Sequence, residues 1–180
     1  MRQPTTTLPL GPLSAAALAL AGGLLALRLA PELPLELFAR GAARLASLFL
    51  GAPGLRIDEG WALPFAAQPV LVTKACSATD FYLMAATVLG WHLMRRARGL
   101  AWLPVVSAAA LLAALPLTLF VNALRIVAVA HAHHWVISRV PPAYEPFLHM
   151  LAGAGVFLPA LIALNLLLEL HGHPSATARA

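Results

Sequence analysis

Long apolar stretches divide this chain of 180 residues and restrict what it can fold into. They cover residues 8–30, 77–94, 100–121 and 149–170, and each approaches the roughly 20 apolar residues that a helix needs to cross a hydrocarbon core. Hydrophobic residues make up 61% of the chain and charged residues only 11%, which excludes an ordinary water-soluble domain. We therefore predict an all-α integral membrane protein, a single membrane domain over 1–180 with about four transmembrane helices.

The segments outside these spans predict smaller elements at the membrane surface. In the predicted outer loop, 31–75, charged residues recur at every fourth position, which is typical of one face of an amphipathic interfacial helix: Glu32, Glu36, Arg40 and Arg44. The runs 55–57 and 70–72 of the same loop are candidates for extended structure. Residues 124–137 are apolar but short, so we predict either a continuation of the third span that bends onto the outer surface, as a short outer helix, or a shallow re-entrant helix.

Basic residues predict the orientation of the chain in the membrane. Arg95, Arg96 and Arg98 lie between the second and third spans, which assigns that short loop and both termini to the cytoplasm. Most of the net charge of +5 flanks apolar stretches in this way, so we expect the lipid bilayer rather than nucleic acid as a partner. Four basic residues are exceptions, because this orientation puts them outside: Arg40, Arg44, Arg56 and Lys74.

Strong polar groups lie at the predicted outer ends of three spans. Cys76 opens the second span, Asn122 and Arg125 follow the third, and His149 opens the fourth. All of them therefore face the same side of the membrane. A thiol, a guanidinium and an imidazole at one bilayer surface predict a cysteine active site.

Cys76 is the only cysteine, which excludes an intramolecular disulfide and a paired-cysteine redox site. It is either a buried small residue or a reactive thiol. In the second case, Lys74, Arg125 and a protonated His149 are candidates to stabilise its thiolate. His149 would move the proton, and Arg125 would stabilise an oxyanion or bind a substrate carboxylate.

Three neighbouring residues are candidates for supporting these groups. Asn122 lies one helical turn before Arg125 and could orient it. Gly153, one turn after His149, would let another helix approach closely. Asp80, one turn after Cys76, would either orient His149 or neutralise Arg125.

The histidines His131, His133 and His134 do not form a metal motif, because no His-Glu-x-x-His pattern is present. We predict no metal and no cofactor. These side chains are expected at the interface or in contact with substrate backbone and lipid.

These motifs, in this order, resemble the exosortase/archaeosortase family of membrane cysteine transpeptidases, most closely its short K-type members. The resemblance covers roughly 70–160 and uses Ala75-Cys76-Ser77, Asn122-Ala123-Leu124-Arg125-Ile126, and His149 with Gly153 and Phe157. It implies Cys76 as nucleophile, Arg125 as oxyanion or substrate-binding group and His149 as proton-transfer partner. The family usually has glycine where this chain has Ala78, and a methyl group there could crowd the substrate backbone.

The resemblance implies that the client is an exported protein with a carboxyl-terminal sorting signal, a transmembrane helix and a basic tail. The enzyme would cleave it through a thioester on the extracytoplasmic side of the cytoplasmic membrane and transfer it to an envelope acceptor, or only hydrolyse it. The alternative is a non-catalytic transport or envelope-assembly subunit that uses Arg125 and the histidines to bind a ligand.

Overall fold

The computed structural model describes residues 22–23, 25–26, 29, 34–66, 69–97, 102–136 and 139–171. This part of the chain is mostly helical, with one small sheet. The predicted first span, 8–30, lies almost entirely outside the described residues. Glu32, the first charge of the predicted amphipathic pattern, also lies outside them.

The predicted amphipathic segment forms a π-helical turn, Pro34–Ala39, that continues into helix α1, Arg40–Leu50. Its buried face consists of alanines, because their small side chains let α1 approach the rest of the protein closely: Ala39, Ala42, Ala43 and Ala46. Leu48 and Phe49 are exposed near its end. Gly51 ends the helix with φ 64°, a left-handed conformation that glycine adopts without a steric penalty.

A three-stranded antiparallel sheet follows, with strands β1, Leu55–Ile57, β2, Gly60–Leu63, and β3, Val70–Thr73, in the order β1-β2-β3. The predicted extended runs correspond to β1 and β3, whereas β2 was not predicted. Trp61, Leu63 and Val72 are buried against the alanine face of α1. The sheet therefore rests on α1, and β3 leads directly to Cys76.

Three longer helices complete the fold: α2, Thr79–Arg96, α3, Leu103–Trp135, and α4, Glu145–Leu170. They pack against one another through a cluster that includes Phe81, Ala85 and Ala114. Phe81 stacks on Phe157 of α4 with ring centroids 4.8 Å apart, so the start of α2 lies against the middle of α4.

Two of these helices, α3 and α4, are long and apolar enough to cross a membrane. Few residues of α4 are fully buried: one side packs on the cluster through Phe157 and Leu161, and the other side exposes large apolar side chains such as Leu158 and Ile162. α2 corresponds to the predicted span 77–94 but has Asp80 in its first turn and Arg95 and Arg96 in its last.

Residues 124–135 continue the third span, because α3 runs without a break for 33 residues to Trp135, so the prediction of a separate outer or re-entrant helix over 124–137 is wrong. No glycine or proline lies between Val121 and Trp135 to end the helix. Arg125 also does not need a bend to reach a partner, because its guanidinium contacts α4 directly.

A polar cluster joins α2 and α4 at the end opposite to Cys76. His92 is buried and its Nε2 lies 3.0 Å from Oδ1 of Asn165, whose Nδ2 donates to Glu169 at 3.1 Å. Arg96 donates to the carbonyl of Leu168 at 3.0 Å. These contacts hold the far ends of the two helices together.

Candidate active site

Cys76 lies in a tight connection between the sheet and α2. β3 continues into a 3₁₀ turn, Lys74–Cys76, whose first carbonyl accepts a hydrogen bond from the amide of Ser77 at 3.1 Å. The thiol is half-buried, and its Sγ lies 3.9 Å from the carbonyl oxygen of Leu71, a weak contact at most. This connection holds Cys76 beside α3, against the cluster that contains Ala123 and Ile126.

Ala78 is the residue before α2 and adopts φ 57°, ψ 32°. This left-handed conformation costs an L-residue roughly 1–2 kcal/mol and costs glycine much less. The backbone conformation of this turn therefore favours glycine at position 78, independently of any contact with a substrate.

Asn122 of α3 is fully buried and donates a 2.6 Å hydrogen bond from Nδ2 to the carbonyl oxygen of Cys76. It was predicted to orient Arg125, but its donor instead holds the main chain of the cysteine. Its other side-chain atom, Oδ1, is buried and has no hydrogen-bond partner. The amide thus positions the Cys76 turn and leaves one acceptor unused.

Arg125, one turn further along α3, projects onto α4. Its Cζ lies 5.1 Å from the ring centroid of Phe157. A β-carbon on Gly153 would lie 2.9 Å from Nε of Arg125. Gly153 therefore makes room for the guanidinium rather than for the helix of Cys76. The Nε atom is buried and has no hydrogen-bond partner.

His149 is exposed one turn before Gly153 on the same helix face. The charged groups near enough to act on its imidazole are Arg125, Glu145 and His133. It lines a groove of about 520 Å³ between β3, the end of α3 and the start of α4. Leu71, whose carbonyl faces the thiol, lines the same groove.

The predicted site residues are thus partly brought together. Asn122 contacts Cys76, and Arg125 packs on the helix face that also presents His149. Among the described contacts, none joins Sγ of Cys76 to His149.

Asp80 is exposed in the first turn of α2, and the described residues give its carboxylate no bond to His149 or Arg125. In the first turn, the negative charge of Asp80 interacts favourably with the dipole of α2. Lys74 is exposed at the start of the 3₁₀ turn.

The three clustered histidines divide between two neighbours, Phe65 and Glu145. His131 and His134 make edge contacts with Phe65, at centroid distances of 4.9 Å and 6.2 Å. Nε2 of His133 lies 3.3 Å from Oε1 of Glu145. Within the described ranges, no three histidine, cysteine or acidic side chains converge as metal ligands.

Two features of the site were missed from sequence. Glu145 pairs with His133 and lines the groove, but the two residues are twelve positions apart and no periodic pattern in the sequence links them. The groove itself depends on Phe65 and β3, which reach α3 only through the tertiary fold. Pro141 and Pro142 lie shortly before Glu145 and mark the start of a helix. This sequence signal could have placed Glu145 in the first turn of that helix.

No protein-family model, no curated protein and no solved structure matches the chain.

Proposed function

We propose that this protein is a membrane-embedded cysteine peptidase and transpeptidase of the exosortase/archaeosortase type, with Cys76 as its nucleophile. Its client would be an exported protein that ends in a sorting signal, a transmembrane helix and a basic tail. The active site would lie on the extracytoplasmic side of the cytoplasmic membrane.

The observation that supports this proposal most strongly is the turn of α3 from Asn122 to Arg125. Asn122 binds the main chain of Cys76, and Arg125 contacts Gly153 and Phe157 on the helix of His149. One helical turn thereby connects the three groups that the sequence motifs single out. The buried Nε of Arg125 has no hydrogen-bond partner, which is costly unless a ligand uses it.

In the proposed reaction, the Cys76 thiolate attacks the carbonyl carbon of the scissile peptide. Arg125 stabilises the negative charge that develops on the carbonyl oxygen. The C–N bond breaks, and the imidazolium of His149 gives its proton to the leaving amine. The client is then held as a thioester. An acceptor amine or water, losing its proton to His149, attacks the thioester and releases the thiolate.

This chemistry requires His149 to come within reach of the thiol or of the leaving group. In structures without substrate, catalytic hydrogen bonds are often long or absent and form only in the substrate complex. The groove between β3 and the two helix ends is the natural position for the client segment, because it is lined by both His149 and Leu71. An extended peptide lying there would reach the thiol at the end of β3.

The dimensions of α3 are compatible with a site at the membrane surface. Asn122 lies about 28 Å along the helix from Leu103, close to the ~30 Å thickness of a hydrocarbon core. The last turns up to Trp135 would then extend beyond the core. The exposed apolar surface of α4 favours contact with lipid or with the client's own helix.

The decisive experiment is co-expression with an exported protein from the same genome that ends in a span and a basic tail. We expect the parent enzyme to remove the tail and Cys76→Ala to leave it intact, as judged by the mass of the client. Hydroxylamine should release a client hydroxamate from the parent enzyme only, because it cleaves thioesters.

His131→Gln is the matched control, since His131 is exposed and contacts Phe65 rather than the Cys76 turn. It should process the client normally. Normal removal of the tail by Cys76→Ala, with the variant present in the membrane at the parent level, would refute the proposal.

The groove favours one alternative, a non-catalytic transport or envelope-assembly subunit. Its lining includes His133, His134, Arg139 and His149, which suit an anionic ligand. That function would not need the thiol. A protein of this kind would therefore tolerate Cys76→Ala and fail with His149→Gln, whereas the proposed enzyme would fail with both.

A further inference from the structure

A second cavity, remote from Cys76, brings together arginines that are far apart in sequence. Arg40 and Arg44 of α1 and Arg56 of β1 line an open cavity of about 220 Å³, and Trp61 of β2 is one of its walls. We call this the arginine cavity. Arg40 and Arg44 lie one helical turn apart, so both reach the same side of α1. The β1-β2 hairpin folds back so that Arg56 lies opposite them.

Within the described part of the chain, the ion pairs at this cavity do not balance its three positive charges. Glu36 lies 3.6 Å from Arg40 and 3.3 Å from Arg56, so one carboxylate serves two guanidinium groups. Among the described residues, no carboxylate forms an ion pair with Arg44. Exposed ion pairs of this kind add little to stability. The grouping of three arginines is therefore not explained by folding alone.

The surroundings of the arginine cavity are those of a membrane surface. Leu48 and Phe49, at the end of α1, are 76% and 52% exposed, and Phe120 beside them is 48% exposed. The Cζ of Arg56 lies 5.8 Å from the ring of Trp61, which holds the guanidinium at the cavity wall. Basic side chains next to exposed apolar ones are typical of helices that lie at the headgroup level.

We propose that the arginine cavity binds a phosphate-ester anion. Guanidinium groups match phosphate oxygens in a bidentate geometry, and three of them converge here with a net positive charge. The predicted orientation puts these arginines outside, against the usual charge bias, and an anionic ligand supplies a reason for them there. The site does not depend on the proposed peptidase activity.

The anion has two possible sources, a phospholipid headgroup or a soluble phosphate. The full-length protein in an uncharged detergent at low ionic strength would be titrated in a calorimeter with dihexanoyl phosphatidylglycerol and, separately, with inorganic phosphate. Binding of the lipid alone would identify a headgroup site. Equal binding of both would identify a site for soluble phosphate.

Arg44→Gln should weaken binding about tenfold or more, since it removes a charged donor that no described carboxylate needs. Arg56→Gln should have a similar effect. Arg95→Gln is the matched control, because Arg95 is also exposed but lies at the far end of α2. Absence of saturable binding by the parent protein, or unchanged binding by both cavity variants, would overturn the proposal. Loss of binding with intact client processing would separate this site from the active site.

Discussion

Nε of Arg125 occupies the space that a side chain at Gly153 would need, since a β-carbon there would lie 2.9 Å from it. The other nearby atoms are Cζ and Nη2, both 3.6 Å from the same point. The guanidinium of Arg125 on α3 therefore fills the space that the missing side chain of Gly153 leaves on α4. Sequence spacing showed that Gly153 shares a face with His149, but not which group fills the gap.

Gly153→Ala should impair client processing while leaving the protein folded. At 2.9 Å from Nε, the methyl group is closer than real β-carbon contacts allow, so the guanidinium must shift from its position against Phe157. Gly155→Ala is the control, because a β-carbon there has no neighbour within 4 Å. It should retain processing and gain about 0.5–1 kcal/mol from helix propensity. Equal activity of the two variants in the tail-removal assay would contradict this role for Gly153.

Asn122→Ala should lower both the stability and the activity of the protein. It leaves the carbonyl of Cys76 without its donor, which costs about 1–3 kcal/mol if that group stays buried, and it frees the turn that holds the thiol. Asn165→Ala, which breaks the contact with His92 at the opposite end, should cost similar stability. Thermal unfolding and the rate of tail removal distinguish them, since only Asn122→Ala should slow processing beyond what its loss of stability explains.

Arg125→Lys should lose most of the activity although it keeps the positive charge. Lysine is a point charge without the planar surface that lies on Phe157, and it has no counterpart to Nε at the end of its apolar stem. If Arg125 stabilises the oxyanion, the chemical step should slow by about 10²–10³-fold. Single-turnover formation of the thioester is the measurement, and an unchanged rate would show that a positive charge alone suffices at this position and that the guanidinium geometry is not needed.

Helical class and the polar ends of the spans could be predicted because they depend on local composition. The long apolar runs predict α2, α3 and α4. The polar residues at the ends of those runs are Cys76, Asn122, Arg125 and His149. Their mutual contacts depend on how the helices are rotated, which a single sequence with apolar residues on every face does not specify. Arg125 could have been assigned to lipid or to protein on equal grounds.

The amphipathic pattern of α1 illustrates a second limit. Its charges predict a helix at an interface, but its fully buried residues are alanines, and Leu48 and Phe49 near its end are exposed. Small residues carry little hydrophobic signal, yet they are the ones that allow close packing. The β2 strand was missed for a related reason. The four residues Gly60–Leu63 are too few to show an alternation of apolar and polar side chains. They form a strand because they pair with β3.

The left-handed conformation of Ala78 gives a prediction that separates two explanations for the alanine in this motif. If a methyl group obstructs the client, Ala78→Gly should speed processing strongly. If the backbone conformation matters, Ala78→Gly should change mainly the stability of the protein, and that change should be small. Relief of the left-handed strain gains roughly 1–2 kcal/mol, while loss of a buried methyl group and the greater freedom of glycine when unfolded cost about 0.8 and 0.5–1 kcal/mol.

Ala78→Val tests the same point from the other direction. A β-branched residue is strained at positive φ and would also have to fit among Phe81 and its neighbours in the core, so it should be less stable than the parent by more than about 2 kcal/mol. Thermal unfolding of the three proteins should rank glycine close to alanine and valine far below. A glycine variant with unchanged stability and a many-fold faster thioester step would instead show that the methyl group obstructs the client, and the backbone explanation would be wrong.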